Sequence, residues 1–533
     1  MNKLYYGDNN YIMEKKLAPA SIDLVYLDPP FNSNRNYNLM YSNMTGQPVP
    51  EQVEAFCDAW TMDEEKESVA RTIPVLLREI GVDDEYIEFW KLWMNSLRRV
   101  NSPLMAYLIY MVPRLCRMKR VLKQTGSIYL HCDSTASHYL KIMMDGIFGH
   151  KNFRNEIIWR RTNAKSLASK RFPQNHDTIL FYTCSEKATF NKQYLPHSEE
   201  YVNKFYKYTD EQSGRIYRLA DLTNPNKDRP NLTYEFLGVT RVWRWTKERM
   251  EEAYRAGLVV QKKPGAVPCL KRYLDEQKGN AVDDIWSDIK CIQANSKERL
   301  GYPTQKPVDL LKRIIAASSN PGDTVFDPFC GCGTTVYAAQ ALDRKWIGCD
   351  IAILAIKLVR DKLREDYTLA EGRDFIVDGI PNSVDSAREL AEHDRFQFQH
   401  WIVERVGGFP MLKKTADKGI DGRLYFDTKD GLMEMVLSVK SGSVKPADVR
   451  DLRGVLERES TAKMAGFLCI QPPTRAMRHE AASAGLYDCG GNSYPRIQIL
   501  TVSEIIEDRK IFNTPTALRS RVDSGQMAIG FDW

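Results

Sequence analysis

The 533-residue chain contains no apolar run approaching the roughly 18–20 residues of a membrane-spanning helix. Its opening residues, Met1-Asn2-Lys3-Leu4-Tyr5-Tyr6-Gly7-Asp8, carry no apolar stretch of the kind found in secretory leaders. Its 11 cysteines are scattered without a repeated C-x-x-C spacing, which speaks against a zinc module and against a disulfide scaffold. These absences lead us to expect a cytoplasmic protein with reduced thiols and no membrane partner. Charge of one sign is also scarce, since the net balance is only +6. What excess exists is local. Residues 151–300 hold 28 Lys and Arg against 19 Asp and Glu, a surplus of nine, so the remainder of the chain is net −3. A positive surplus confined to the middle of a chain suits a surface that faces phosphates. The length predicts two to four domains with ample core.

Against this plain background two loops carry chemistry. The run Ile22-Asp23-Leu24-Val25-Tyr26-Leu27 has the unbroken apolar character of a buried parallel strand and ends in Asp28-Pro29-Pro30-Phe31. Open α/β sheets bind ligands at the carboxyl ends of their strands. Adjacent prolines lock φ and remove two N–H donors, so the tetrapeptide offers a carboxylate, a fixed carbonyl and a flat ring. Those parts can hold an exocyclic amino group on a planar base. The second loop is Asp327-Pro328-Phe329-Cys330-Gly331-Cys332-Gly333-Thr334-Thr335, preceded by a short apolar strand and followed by a helical stretch over residues 336–342. Lys345-Trp346-Ile347-Gly348-Cys349-Asp350 reads as the next strand, with an acid at its carboxyl end, 23 positions after Asp327. Strand, glycine turn, helix, strand and acid make a βαβ nucleoside site in which the acid meets ribose hydroxyls. The loop lacks G-x-G-x-x-G, which argues against a dinucleotide and favours a nucleoside without phosphates.

Both loops, in this order, resemble the motifs of the β class of DNA amino-methyltransferases. The resemblance covers roughly residues 1–382. It implies a circularly permuted Rossmann-like α/β sheet dependent on S-adenosylmethionine, with a target-recognition region inserted between the two halves. It further implies transfer of a methyl group to the exocyclic amino nitrogen of a base in duplex DNA, within a restriction-modification system. Asp28, Pro29, Pro30 and Phe31 would be the catalytic residues. Asp327, Phe329, Gly331, Gly333, Thr334 and Asp350 would bind the cofactor. Lys306, from the Thr304-Gln305-Lys306-Pro307 element, would close over it, and Asp8, from Gly7-Asp8, would lie near its adenine. Both could instead be turn chemistry. Adenine is expected as the target because the motif begins with Asp, with cytosine as the alternative. Methyl transfer needs no metal. Double-stranded DNA is the expected partner, and a homodimer and a separate restriction subunit both stay open.

The expected organisation is a catalytic half over 1–150 with a helical insert at about 45–100, a recognition region over 151–300 and a cofactor half over 301–382. A linker at 383–396 leads to a smaller α/β domain over 397–510 and a tail at 511–533. In the middle region basic and aromatic residues interleave, as in Trp159-Arg160-Arg161 and Arg241-Val242-Trp243-Arg244-Trp245. Such residues can contact phosphates and stack on bases, although core packing accounts for many of the aromatics. The C-terminal domain resembles the Mrr-like branch of the PD-(D/E)xK nuclease fold through Asp421 in Gly419-Ile420-Asp421-Gly422 and Lys440 at the end of a strand. Glu404 would be its helix acid, and Asp421 would hold a divalent ion such as Mg²⁺. Ser438 departs from the pattern, because an acid or Gln is expected there and a hydroxyl is a poor ligand for a hard cation. Two readings follow: a cleaving domain, or a degenerate nuclease fold used for DNA binding or protein contact.

Overall fold

The computed structural model describes residues 1–30, 36–39, 53–57, 60–162, 172–293, 295–300, 302, 304–411, 419–428 and 431–515. Phe31 therefore lies outside the described residues, as does the tail from residue 516. Nine strands form one sheet: β1 (Asn2–Tyr6), β2 (Ile22–Leu27), β3 (Leu122–Cys132), β4 (Phe153–Arg160), β5 (His176–Thr183), β6 (Ile285–Trp286), β7 (Thr324–Asp327), β8 (Lys345–Asp350) and β9 (Phe375–Asp378). Their order is β6-β4-β5-β3-β2-β7-β8-β1-β9. The six strands from β3 to β9 in that order are mutually parallel, whereas β5 runs antiparallel to both β3 and β4.

The pairing explains the motif order. Leu24 and Val25 of β2 lie beside Val325 and Phe326 of β7. About 300 residues separate these strands in the chain, yet their carboxyl ends emerge side by side. Every residue of β2 is buried, which is why it reads as a continuous apolar run rather than an alternating one. Helices α1 (Asn9–Lys15) and α2 (Ser102–Val121) pack against the sheet, and α3 (Val308–Ser318), α4 (Thr334–Ala341) and α5 (Ile353–Tyr367) belong to the cofactor half. The expected helical insert is present as Glu64–Glu79 and Asp84–Val100, whose Ile73, Leu77, Ile87, Trp90 and Met94 join α2 in one core cluster. Among the described residues no helix is long and apolar enough to cross a membrane.

The chain divides into two compact units, one of residues 1–191 and 284–533, the other Lys192–Asp283. The second unit is smaller than the expected recognition region, because β4, β5 and β6 belong to the large sheet. Its sheets are antiparallel, and its core gathers Leu222, Phe236, Trp243, Met250 and Val259. Trp243 is fully buried with its indole N–H on the Tyr234 carbonyl at 2.9 Å, and Trp159 is buried in the first unit. Both tryptophans are thus packing residues.

The stretch read as a linker is helical. Val384–His393 starts at a Ser383 capping box and buries Ala387 and Ala391. Asp394 then caps α6 (Arg395–Arg405). The C-terminal sheet has the order β10 (Phe409–Pro410), β11 (Gly422–Thr428), β12 (Gly431–Lys440), β13 (Ala462–Cys469) and β14 (Ile497–Thr501). β11 and β12 form an antiparallel hairpin, and β12, β13 and β14 are parallel.

Candidate active site

The carboxyl ends of β2, β7 and β8 open into one cleft. Asp28, Pro29, Pro30, Lys306, Asp327 and Asp350 line it, together with the glycine loop from Phe329 to Cys332. Residues from both ends of the motif order therefore share one wall.

Asp28 has two different oxygens. Oδ2 pairs with the Lys306 ammonium, whose side chain is 9% exposed against 16% for Asp28. Oδ1 is buried and has no hydrogen-bond partner among the described residues. A buried carboxylate oxygen of this kind has the capacity to accept a further N–H. Lys306 lines the cleft, and its ammonium reaches Asp28 and the Thr304 carbonyl. Its own carbonyl accepts from the Thr334 hydroxyl at 3.2 Å, which fastens this segment to the start of α4.

The glycine loop is braced from within. Asp327 is 3% exposed and accepts from the Phe329 N–H at 3.0 Å and from the Thr335 hydroxyl. Burial pushes its carboxyl up to about 7, against the pull of those two bonds. Gly331 and Gly333 have φ of +48° and +84°, a region that L side chains avoid. A Cβ on Gly333 would meet Val359 at 2.6 Å, so glycine is required there for packing as well as for conformation. Asp350 accepts from the Gly331 N–H at 2.8 Å and from the Ala352 N–H at 2.9 Å, and burial raises its carboxyl. The residue also lines the cleft. A carboxylate at a strand end, a glycine turn with no bulky side chain and an apolar ring at Phe329 fit a nucleoside with an amino-acid tail.

Asp8 is not among the cleft residues. Its carboxylate caps α1 through the Asn10 and Tyr11 N–H groups and pairs with Arg114. The neighbouring Asn9 reaches the cofactor loop instead, donating to the Pro328 carbonyl at 2.8 Å while Arg114 donates to its side-chain oxygen at 2.7 Å. Sequence reasoning missed both Asn9 and Arg114, although an arginine inside the apolar helix α2 was a visible signal. It also missed a buried chain beneath the catalytic loop. The Tyr26 hydroxyl meets His131 Nδ1 at 2.9 Å, and His131 Nε2 meets Asp177 at 3.2 Å.

In the C-terminal domain the proposed nuclease residues only partly converge. Asp421 lies beside β12 and accepts from the Val439 N–H at 2.6 Å. Ser438 is buried and Lys440, two residues on, is exposed. Glu404 lies near Lys357 of α5, and burial pushes its carboxyl up to about 8 against the pull of that ammonium. Its neighbour Val403 takes the sheet-facing position, against Gly422. Among the described residues no group of three or more His, Cys, Asp or Glu could hold a metal ion.

Comparison with known proteins accords with the cleft. A sequence model of the N6/N4-type DNA methylases matches residues 22–361. The chain is 32% identical over 289 residues to the type II methyltransferase M.EcaI of Enterobacter cloacae, covering 54% of this chain and 62% of that one. It is 26% identical over 359 residues to the Mod subunit of the type III restriction-modification enzyme StyLTI of Salmonella typhimurium, covering 65% and 49%. The chain thus spans less than two thirds of either relative. TTHA0409 of Thermus thermophilus, a putative DNA modification methylase solved with S-adenosyl-L-methionine, aligns with 71% of this chain and 98% of its own at 14% identity and a TM-score of 0.31.

Proposed function

The chain belongs to the N6/N4 DNA methylase family, and from that membership we propose that it methylates the exocyclic amino group of adenine in duplex DNA at a specific site. The observation that carries this reading is the open Oδ1 of Asp28, buried in the same cleft as the Asp350 turn. S-adenosylmethionine, held by Asp350, Phe329 and the backbone around Gly331 and Gly333, supplies an electrophilic methyl group when bound.

The base must first leave the stack, because its amino nitrogen is inaccessible inside the duplex. Asp28 Oδ1 and the Pro29 carbonyl then accept the two amino hydrogens. That turns the nitrogen lone pair out of conjugation and toward the methyl carbon. Lys306 keeps the Asp28 carboxylate oriented while its other oxygen works on the base. Displacement at carbon is in-line, so positioning supplies much of the acceleration. The amino nitrogen gains the methyl group and sheds one proton to the Asp28 side of the cleft or to water. Phe31, outside the described residues, is proposed to stack on the base. DNA is the proposed partner, with a separate restriction subunit as the second component of the system. The C-terminal domain is proposed to be a degenerate nuclease fold used for contact rather than cleavage. Ser438 in the ligand position and the burial of Glu404 near Lys357 favour that choice.

Transfer of labelled methyl groups to unmethylated DNA tests the reading. Asp28→Ala should abolish transfer while leaving the affinity for S-adenosylmethionine within about threefold. Nucleoside mass spectrometry of the product should show N6-methyladenine. Full activity in the variant would sink the assignment, and N4-methylcytosine would overturn the choice of base.

A further inference from the structure

The cofactor half does not finish its own site. Asp350 is followed by Ile351 and Ala352, which also line the cleft, and α5 begins at Ile353. The first turn of a helix leaves backbone N–H groups without partners, and a Ser, Thr, Asp or Asn at the cap normally takes one. Here the cap residue is Ala352, which has no acceptor, and no side-chain cap bond is made. The Asp350 carboxylate is held by the Gly331 and Ala352 N–H groups, but the start of α5 just after it has no side-chain cap of its own.

A further contact to this turn comes from α6, in the C-terminal domain. Gln397 is 1% exposed and donates from Nε2 to the Ile351 carbonyl at 3.0 Å. Glu404, two turns further along the same helix, is buried near the Lys357 ammonium: burial pushes its carboxyl up to about 8 and Lys357 opposes that rise. Its Oε2 has no hydrogen-bond partner among the described residues. The rings of Tyr11 and His393 lie 3.8 Å apart, joining α1 to the helix that precedes α6.

We propose that Gln397 is a positioning residue of the cofactor site, acting through the Asp350–Ile353 turn. It lies beyond the stretch that matches the methylase family, which ends at residue 361. The C-terminal domain is then part of the methyltransferase, whatever else it does. The inference rests on the reading of the cleft as a site for S-adenosylmethionine.

Titration calorimetry of the full chain with S-adenosylmethionine, alongside steady-state methylation, tests it. Gln397→Ala should raise Kd by about three- to tenfold, the equivalent of one net hydrogen bond. The loss should fall on KM for the cofactor rather than on kcat. Gln397→Met keeps the length of the side chain and removes the donor, so it should lose as much. An unmoved Kd in Gln397→Ala would overturn the proposal. Should Gln397→Ala not fold, Gln397→Met decides. A parent protein that fails to bind S-adenosylmethionine would instead refute the cofactor reading itself.

Discussion

Asp28 and Asp327 occupy the ends of adjacent strands and have opposite electrostatic settings. Asp28 has a lysine on one oxygen. Asp327 has a backbone N–H and a hydroxyl, and burial first, with Asp28 and Asp350 adding to it, raises its carboxyl to about 7. The unfolded chain releases this proton near the model-compound value of 3.8, whereas the fold keeps it to about 7. The contribution of Asp327 to stability therefore falls as pH rises through that interval and is lowest above it. Asp327→Asn preserves an acceptor for Phe329 and removes the titration. The melting temperature of the parent relative to this variant should fall steadily between pH 4 and 7 and level off above, read by scanning calorimetry. Parallel pH profiles for the two proteins would contradict the assignment. At this scale the sequence was informative about residue type and less so about partner. Asp28, Asp327 and Asp350 could be identified because each ends an apolar run. Lys306 could be placed near the site but not on Asp28, since a contact across 278 positions has no local signal. Asp8 looked like a cofactor ligand, yet an acid followed by an amphipathic stretch is equally an N-cap.

Elements were legible where burial leaves a continuous signature. β2, β7 and β8 stand out as apolar runs because helices or neighbouring strands cover both faces. The glycine loop was legible for a different reason: its conformation excludes other residues. Gly333 is the N-cap of α4 at φ +84°, and an added Cβ would sit 2.6 Å from Val359 and 3.1 Å from Tyr337. Gly333→Ala should cost about 2–3 kcal/mol, combining left-handed strain with overpacking. It should lower the melting temperature by several degrees and weaken cofactor binding together, as thermal melts and calorimetry on the same samples would reveal. An unchanged melting temperature would mean that the loop relaxes at no cost. The helix Val384–His393 was missed because its buried side is made of Ala387 and Ala391. Two small residues leave little amphipathic contrast in a stretch otherwise rich in charge, so it reads as a polar linker.

At the scale of the whole molecule the two chemistries suggested by the sequence have unequal support. The methyltransferase motifs, about 300 positions apart, meet in one cleft because β2 pairs with β7. The nuclease motif has a comparable frame in the β11–β12 hairpin and its parallel continuation, but its ligands do not gather. Hydrolysis of a phosphodiester by this fold needs a divalent ion held by acids, with a lysine beside it. Asp421 commits one oxygen to the Val439 N–H, and Ser438 offers a buried hydroxyl where a charge is needed. Glu404, the remaining acid, is buried near Lys357, which opposes the rise that burial imposes on its carboxyl. The full chain, incubated with unmethylated plasmid and Mg²⁺ in the absence of S-adenosylmethionine, should leave the supercoiled form intact on a gel over hours. Nicking or linearisation that disappears in Lys440→Ala would show that a catalytic ion is held after all.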